Sequence, residues 1–107
     1  MKRLAIAIVG ASWLASAAFA ETVVPKYGEA VDLGSFSCSD VARSSFIKRV
    51  CFDNAKSYMI IRLRDTYYDY CNIPESTVTA LLMADSMGRF FNAHVKGNYD
   101  CANPPPK

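Results

Sequence analysis

The residues of this chain best suited to chemistry are its four cysteines, Cys38, Cys51, Cys71 and Cys101, spaced with no Cys-x-x-Cys pair and accompanied by a single histidine, His94. A zinc site needs several nitrogen or sulfur ligands held together, and this spacing offers none. A Ser-His-Asp or Cys-His arrangement would have to use His94 beside an activated nucleophile. That ring follows Phe90 and Phe91 and precedes Val95 on an apolar helical face, where packing is the expected role, and a hydrolase would need a pocket around it. The chain is therefore expected to be no enzyme, with no catalytic residue, no metal and no cofactor.

What remains for the cysteines is to react with one another. Lys2 and Arg3 precede a largely apolar run from Leu4 to Ala15, and Ala18-Phe19-Ala20 precedes Glu21. This is the pattern of a secretory signal peptide, residues 1–20, with an A-x-A cleavage site. An even number of cysteines in an exported chain reads as two disulfides. Taking 20 residues from the 107 leaves 87, a size at which an apolar core alone is marginal and covalent staples are expected. Of the twelve Lys and Arg, two leave with the leader, so ten balance ten Asp and Glu. A nucleic-acid-binding domain ordinarily carries a stronger basic excess. No later apolar run approaches a membrane span, so no anchor is expected after cleavage, and the location implied is periplasmic or secreted.

Three constellations have the residue types for binding. Tyr68 and Tyr70, at i and i+2 on a predicted strand, would pack in a core with their hydroxyls satisfied. Flanked by Lys48, Arg62 or Arg64, they would instead offer a stacking platform for bases. Lys48-Arg49, with Arg62 and Arg64 on the adjacent strand, reads as a solvated face or as an attractor for an acidic partner. Ser86-Met87-Gly88-Arg89 has the composition of a helix N-cap, and a base near unpaired first-turn amides suits an anion.

The elements that must position these residues follow from pattern. Residues 21–42, with Pro25, Gly28 and Gly34 and no sustained period, read as an extended lead-in, with Asp40 capping a short helical turn from Val41. Aromatic and β-branched runs predict strands at 44–52, 58–63 and 66–71, joined by turns at 53–56 and 64–65, as an antiparallel meander. Pro74, Glu75 and the spacing of Val78, Leu81 and Leu82 predict a helix over 74–84. Ser86 as N-cap and Gly97 as C′ residue bracket a second helix over 87–96. The tail, Ala102 to Lys107, is rich in proline and predicts neither helix nor ladder.

If Phe52 faces Ser57 and Leu63 faces Thr66, then Cys51, Tyr58 and Cys71 form one lateral row. Cys51 and Cys71 would then lie roughly 9 to 10 Å apart, too far for a disulfide. Two patterns stay open: Cys38 to Cys51 with Cys71 to Cys101, or Cys38 to Cys71 with Cys51 to Cys101. The opposite face would carry Val50, Met59, Ile61, Leu63, Tyr68 and Tyr70 against Leu81, Leu82, Phe90 and Phe91.

Several short motifs stand in order over residues 43–98: Arg43-Ser44-Ser45, Tyr68-Asp69-Tyr70, Ile73-Pro74, Ser86-Met87-Gly88-Arg89-Phe90-Phe91-Asn92 and Val95-Lys96. Together they resemble the KTSC domain, named for the C-terminus of some lysyl-tRNA synthetases and also found as stand-alone bacterial proteins. The resemblance implies a domain over 43–101 and, through the synthetase context, RNA as a ligand. The chain thus reads as an α+β domain, a three-stranded meander with two helices on one face and two disulfides. Its expected role is a non-catalytic binding module for an anionic ligand such as nucleic acid. The alternative is a protein-interaction or structural part in the cell envelope, which exposure of Tyr58 or Tyr67 on a flat patch would favour.

Overall fold

The computed structural model describes residues 21–101; the leader at 1–20 and the Pro-rich tail at 102–107 lie outside the described residues. The three expected hairpin strands are present as β4 (Ile47–Asp53), β5 (Tyr58–Leu63) and β6 (Thr66–Cys71). A fourth strand, β3 (Ser37–Asp40), extends them into an antiparallel sheet ordered β3-β4-β5-β6. A separate two-stranded ribbon, β1 (Thr22–Val23) with β2 (Val31–Asp32), precedes a 3₁₀ turn at Leu33–Ser35. The layout is therefore two strands plus four, not a three-stranded meander, and the lead-in is an ordered strap. Asp40 starts no helical turn, since it ends β3 opposite Arg49. All four β3 residues are exposed, which is why no apolar alternation announces the strand.

The β4–β5 register also differs from expectation by two residues. Phe52 faces Met59 and Asp53 faces Tyr58, because the Asp53 carboxylate accepts from the amides of Ala55 and Lys56 at 3.1 and 3.4 Å. That Asx turn holds four residues between the strands, with Ser57 at φ 52° completing it. Cys51 consequently lies beside Ile60 and Asp69, and the row with Tyr58 and Cys71 does not form. The β5–β6 register is as expected, with Leu63 opposite Thr66. At the other end of β4 a bulge at Lys48 lets both Ile47 and Val50 face the core, three residues apart. The strand starts at Ile47, not Ser44, since the Ser44 hydroxyl accepts from the amides of Phe46 and Ile47 and turns the chain there.

Helix α1 (Glu75–Met83) begins after Pro74, and α2 (Met87–Phe90) begins at the Ser86 cap and continues as a π-helical segment, Phe91–Val95. Gly97, at φ 84°, reverses the chain as the C′ residue. The helices cover one sheet face, burying Val50, Met59, Ile61 and Tyr70 with Leu81, Phe91 and Val95. Leu63, Tyr68, Leu82 and Phe90 pack at the margin of this core, partly buried. The other face is covered by the strap, whose Val23 and Leu33 bury Cys51 and Ile60 in a second, smaller core.

Cys38 is joined to Cys51 and Cys71 to Cys101. The first bridge ties the exposed edge strand to a residue buried completely, and the second holds the segment at Tyr99 and Asp100 along β6, where the Cys71 amide donates to the Tyr99 carbonyl at 2.7 Å. Closing a loop of this size removes unfolded-state entropy worth about 3 kcal/mol. Replacing Cys38 and Cys51 together by Ala should therefore lower the unfolding free energy by about that amount in urea titration; a change within error would mean that β3 is held by its ladder alone.

Candidate binding cleft

The basic residues expected to act together are dispersed by the fold. Arg49 points into the strap side, its side chain one-fifth exposed. Its two terminal nitrogens donate to the Glu21 carboxylate at 2.6 and 2.8 Å, and one also to the Tyr67 hydroxyl at 3.3 Å. Its Nε lies 3.5 Å from Asp40 without hydrogen-bond geometry. Arg49 is thus a clamp between sheet and strap, and the hydrogen bonds it donates, to Glu21 first and Tyr67 second, push its pKa up. Lys48 sits exposed at the bulge. Arg62 shares the face of Arg49; its Nε donates to the Arg64 carbonyl at 2.8 Å and its guanidinium pairs with Asp65 at 3.5 Å. Tyr58 and Tyr67, the criterion for an interaction patch, are half-buried: their hydroxyls meet Asp69 at 2.9 Å and Arg49.

Tyr68 and Tyr70 lie on the opposite face, so Arg62 does not flank them. Arg64 does, because the two-residue β5–β6 turn carries it at φ 55° around the sheet end. Its amide donates to the Phe46 carbonyl at 2.8 Å and its guanidinium lies 5.8 Å from the Phe46 ring centre. There the helix side opens as a cleft of about 580 Å³, whose aromatic wall is Phe46, Tyr68, Tyr70 and Phe91 and whose charged rim is Arg64, Lys96 and Asp100. Edge-on contacts fix the wall: Phe91 meets Phe46 at 6.2 Å and Tyr70 at 5.8 Å between ring centres. Burial raises the Tyr70 hydroxyl well above its ordinary value, with the charge of Asp100 adding to it.

Ser86, Gly88 and Arg89 line a neighbouring hollow of about 470 Å³ that shares Phe46 and Asn92 with the cleft. The Ser86 hydroxyl accepts from the Arg89 amide at 3.2 Å, so this first-turn donor is already used. Gly88 makes room for Phe46, since a Cβ there would come within 2.6 Å of the ring. Arg43 donates to the Leu82 carbonyl at 2.7 Å, satisfying the C-terminal end of α1. Gly88, Arg64 and Phe91 thus surround the Phe46 ring. His94 is exposed and lies over Phe90 at 4.6 Å between ring centres. Among the described residues no group of three or more His, Cys, Asp or Glu is close enough to hold a metal.

Sequence reasoning left Phe46, Asn92, Lys96 and Asp100 out of the candidate set, although Asn92 and Lys96 stand within the motifs quoted above. Tyr27 and Lys26 had no signal, because the strap around them has no period from which to place them.

Fold and site together define a small disulfide-stapled α+β domain with an aromatic, cation-rimmed cleft between sheet and second helix. The chain belongs to the KTSC domain family, whose model matches residues 43–99. It is similar to the crystal structure of a KTSC domain protein from Yersinia pestis, with 29% identity and a TM-score of 0.57, covering 60% of this chain and 90% of that one. No curated protein matches the chain. The matched stretch contains Phe46, Arg64, Tyr68 and Lys96, whereas the strap and Cys38 lie before it and Cys101 beyond it.

The Arg49 clamp is pH-sensitive. Hydrogen bonds from Arg49 hold the Glu21 carboxyl below its ordinary 4.5, so its stabilising contribution is full at neutral pH and is lost as pH falls through 4.5 towards the lower folded value. The Leu33 amide, which donates to the Glu21 carbonyl at 2.7 Å, should lose NMR-detected protection on acidification through that range. Glu21→Gln should show no such step; equal pH responses in both proteins would mean that the clamp does not hold the strap.

Proposed function

We propose that this chain is an exported, non-catalytic binding module that takes an anionic, phosphate-bearing ligand in the cleft at the β5–β6 turn. The observation that carries the reading is the convergence of Arg64 and Lys96 with Tyr68 on one cleft whose apolar wall is already packed. Paired cations supply charge complementarity, while the half-buried Tyr68 ring supplies a flat surface for an apolar or aromatic part of the ligand. Nucleic acid is the first candidate, because the lysyl-tRNA synthetase context of the family suggests RNA and because base stacking on tyrosine is tolerant of sequence.

Export is supported by the leader pattern at 1–20 and by two disulfides in a domain of this size. No described helix is long and apolar enough to cross a membrane. Cleavage after Ala20 would leave Glu21 as the first residue, already bound by Arg49. A non-catalytic role is supported by the use of all four cysteines in bridges and by the exposed position of His94, which does not line the cleft.

The experiment is binding of the oxidised protein to fluorescent single-stranded RNA and DNA across a salt series. Two phosphate contacts should cost about sevenfold in affinity between 50 and 200 mM salt, and Arg64→Glu with Lys96→Glu should abolish binding while Arg62→Glu leaves it. Binding that survives the double charge reversal, or that ignores salt, would move the ligand away from this cleft; absence of binding at low salt would retire nucleic acid as the ligand.

A further inference from the structure

One corner of the cleft has the opposite electrostatic character. A nook of about 50 Å³ at the edge of β6 is lined by Tyr27, Tyr68, Asp69, Tyr70 and Asp100, and the Asp69 carboxylate, which accepts from the Tyr58 hydroxyl at 2.9 Å, lies at that edge beside Gly28. All but Asp69 also line the larger cleft, so the two spaces communicate. Among the described residues neither carboxylate has a cationic partner within 4.0 Å. Tyr70 is 5% exposed, and its hydroxyl has no hydrogen-bond partner among the described residues. A β-turn delivers the remaining wall: Gly28 donates to the Pro25 carbonyl at 3.2 Å, and the Lys26 amide is fixed to the Tyr67 carbonyl at 2.7 Å. That turn lays the Lys26 ammonium 5.3 Å from the Tyr27 ring centre and 6.0 Å from that of Tyr68. The nook therefore already draws a cation from its own chain to two of its rings.

We infer that the nook between Tyr27, Tyr68, Tyr70, Asp69 and Asp100 seats an ammonium group, so that among phosphate-bearing ligands the cleft prefers a zwitterion, a phosphate ester bearing an amine, over nucleic acid. Ring faces and carboxylates together are the chemistry that recognises ammonium ions. The inference rests on the reading of Arg64 and Lys96 as the anion site, and adds to it the ligand's other end. Lys26 occupies the rings when the ligand is absent and must withdraw for it, which makes the strap a competitor as well as a wall. Such an amine-bearing phosphate exists both as a lipid headgroup and as a free small molecule, and the nook chemistry is shared by both.

The test measures O-phosphoethanolamine, glycerol phosphate and tetramethylammonium against the oxidised protein by calorimetry, with ¹⁵N shifts locating each. Phosphoethanolamine should bind about tenfold more tightly than glycerol phosphate. Asp69→Asn with Asp100→Asn, which keeps acceptors for the Tyr58 hydroxyl and the Gly97 amide, should erase that preference without weakening glycerol phosphate. Lys26→Ala, which keeps its backbone bond to Tyr67, should strengthen tetramethylammonium binding, whereas removing a cation from a purely anion-binding cleft would not. Glycerol phosphate and phosphoethanolamine binding equally would overturn the nook and leave the anion site standing. Tetramethylammonium binding in the nook with no affinity for either phosphate would sink the zwitterion and the anion site, leaving only a cation site. Vesicles of phosphatidylethanolamine and of phosphatidylglycerol separate the sources. An ethanolamine preference on vesicles assigns the ligand to a membrane surface, and the same preference in solution alone assigns it to a free amino-phosphate.

Discussion

The middle of this sheet is apolar on both sides, and the rest of the molecule answers that constraint. Along β4 and β5, Val50, Met59 and Ile61 face the helices while Cys51 and Ile60 face the other way, each of the five no more than 1% exposed. Each buried aliphatic side chain is worth roughly 1.5 to 3 kcal/mol, so leaving either face open would forfeit a large part of a small domain's stability. One face receives two short helices. The other receives a strap too brief to hold itself, with two two-residue strands and a single 3₁₀ turn, and it stays because Arg49 clamps it to β4 and because it runs on into β3, which the Cys38–Cys51 bridge ties to β4.

This arrangement explains which parts of the fold were legible in the sequence. A strand's faces follow a period of two, so a register wrong by two residues still assigns every side chain to its correct face. The core of Val50, Met59, Ile61 and Tyr70 was therefore readable although Phe52 was paired with Ser57 in place of Met59. Lateral neighbours have no such protection, and the Cys51–Tyr58–Cys71 row was lost. The helix ends were legible because Pro74, Ser86 and Gly97 each act locally. Strand β3 was not, because Ser37, Cys38, Ser39 and Asp40 are exposed at an edge and its only signal is the partner of Cys38.

The cleft was half legible for a related reason. Tyr68 and Tyr70 announce a strand face, but the cations beside them depend on how turns swing Arg64 and Lys96 around the sheet end. Adjacent residues can also separate: Lys48 and Arg49 read as one charged run, yet the bulge sends one to solvent and the other to the strap. Two of the quoted motif residues serve one ring: Ser44 turns the chain at Phe46 and Gly88 clears space for it, the ring shared by the cleft and the hollow beside it, while Arg43 secures the end of α1.

The placement of the two bridges has a mechanical meaning. Each joins a cysteine within the matched family stretch to one outside it, Cys51 to Cys38 and Cys71 to Cys101. Tension applied between the ends of the described chain would pass from Cys38 directly to Cys51, along β5 and β6 to Cys71, and then directly to Cys101. Both helices and Lys96 lie within the bypassed loop, out of the load path. A pull on the chain, or a single protease cut between Asn72 and Asp100, would leave that loop covalently attached at both sides, whereas the stretch from Cys51 to Cys71 would carry the force.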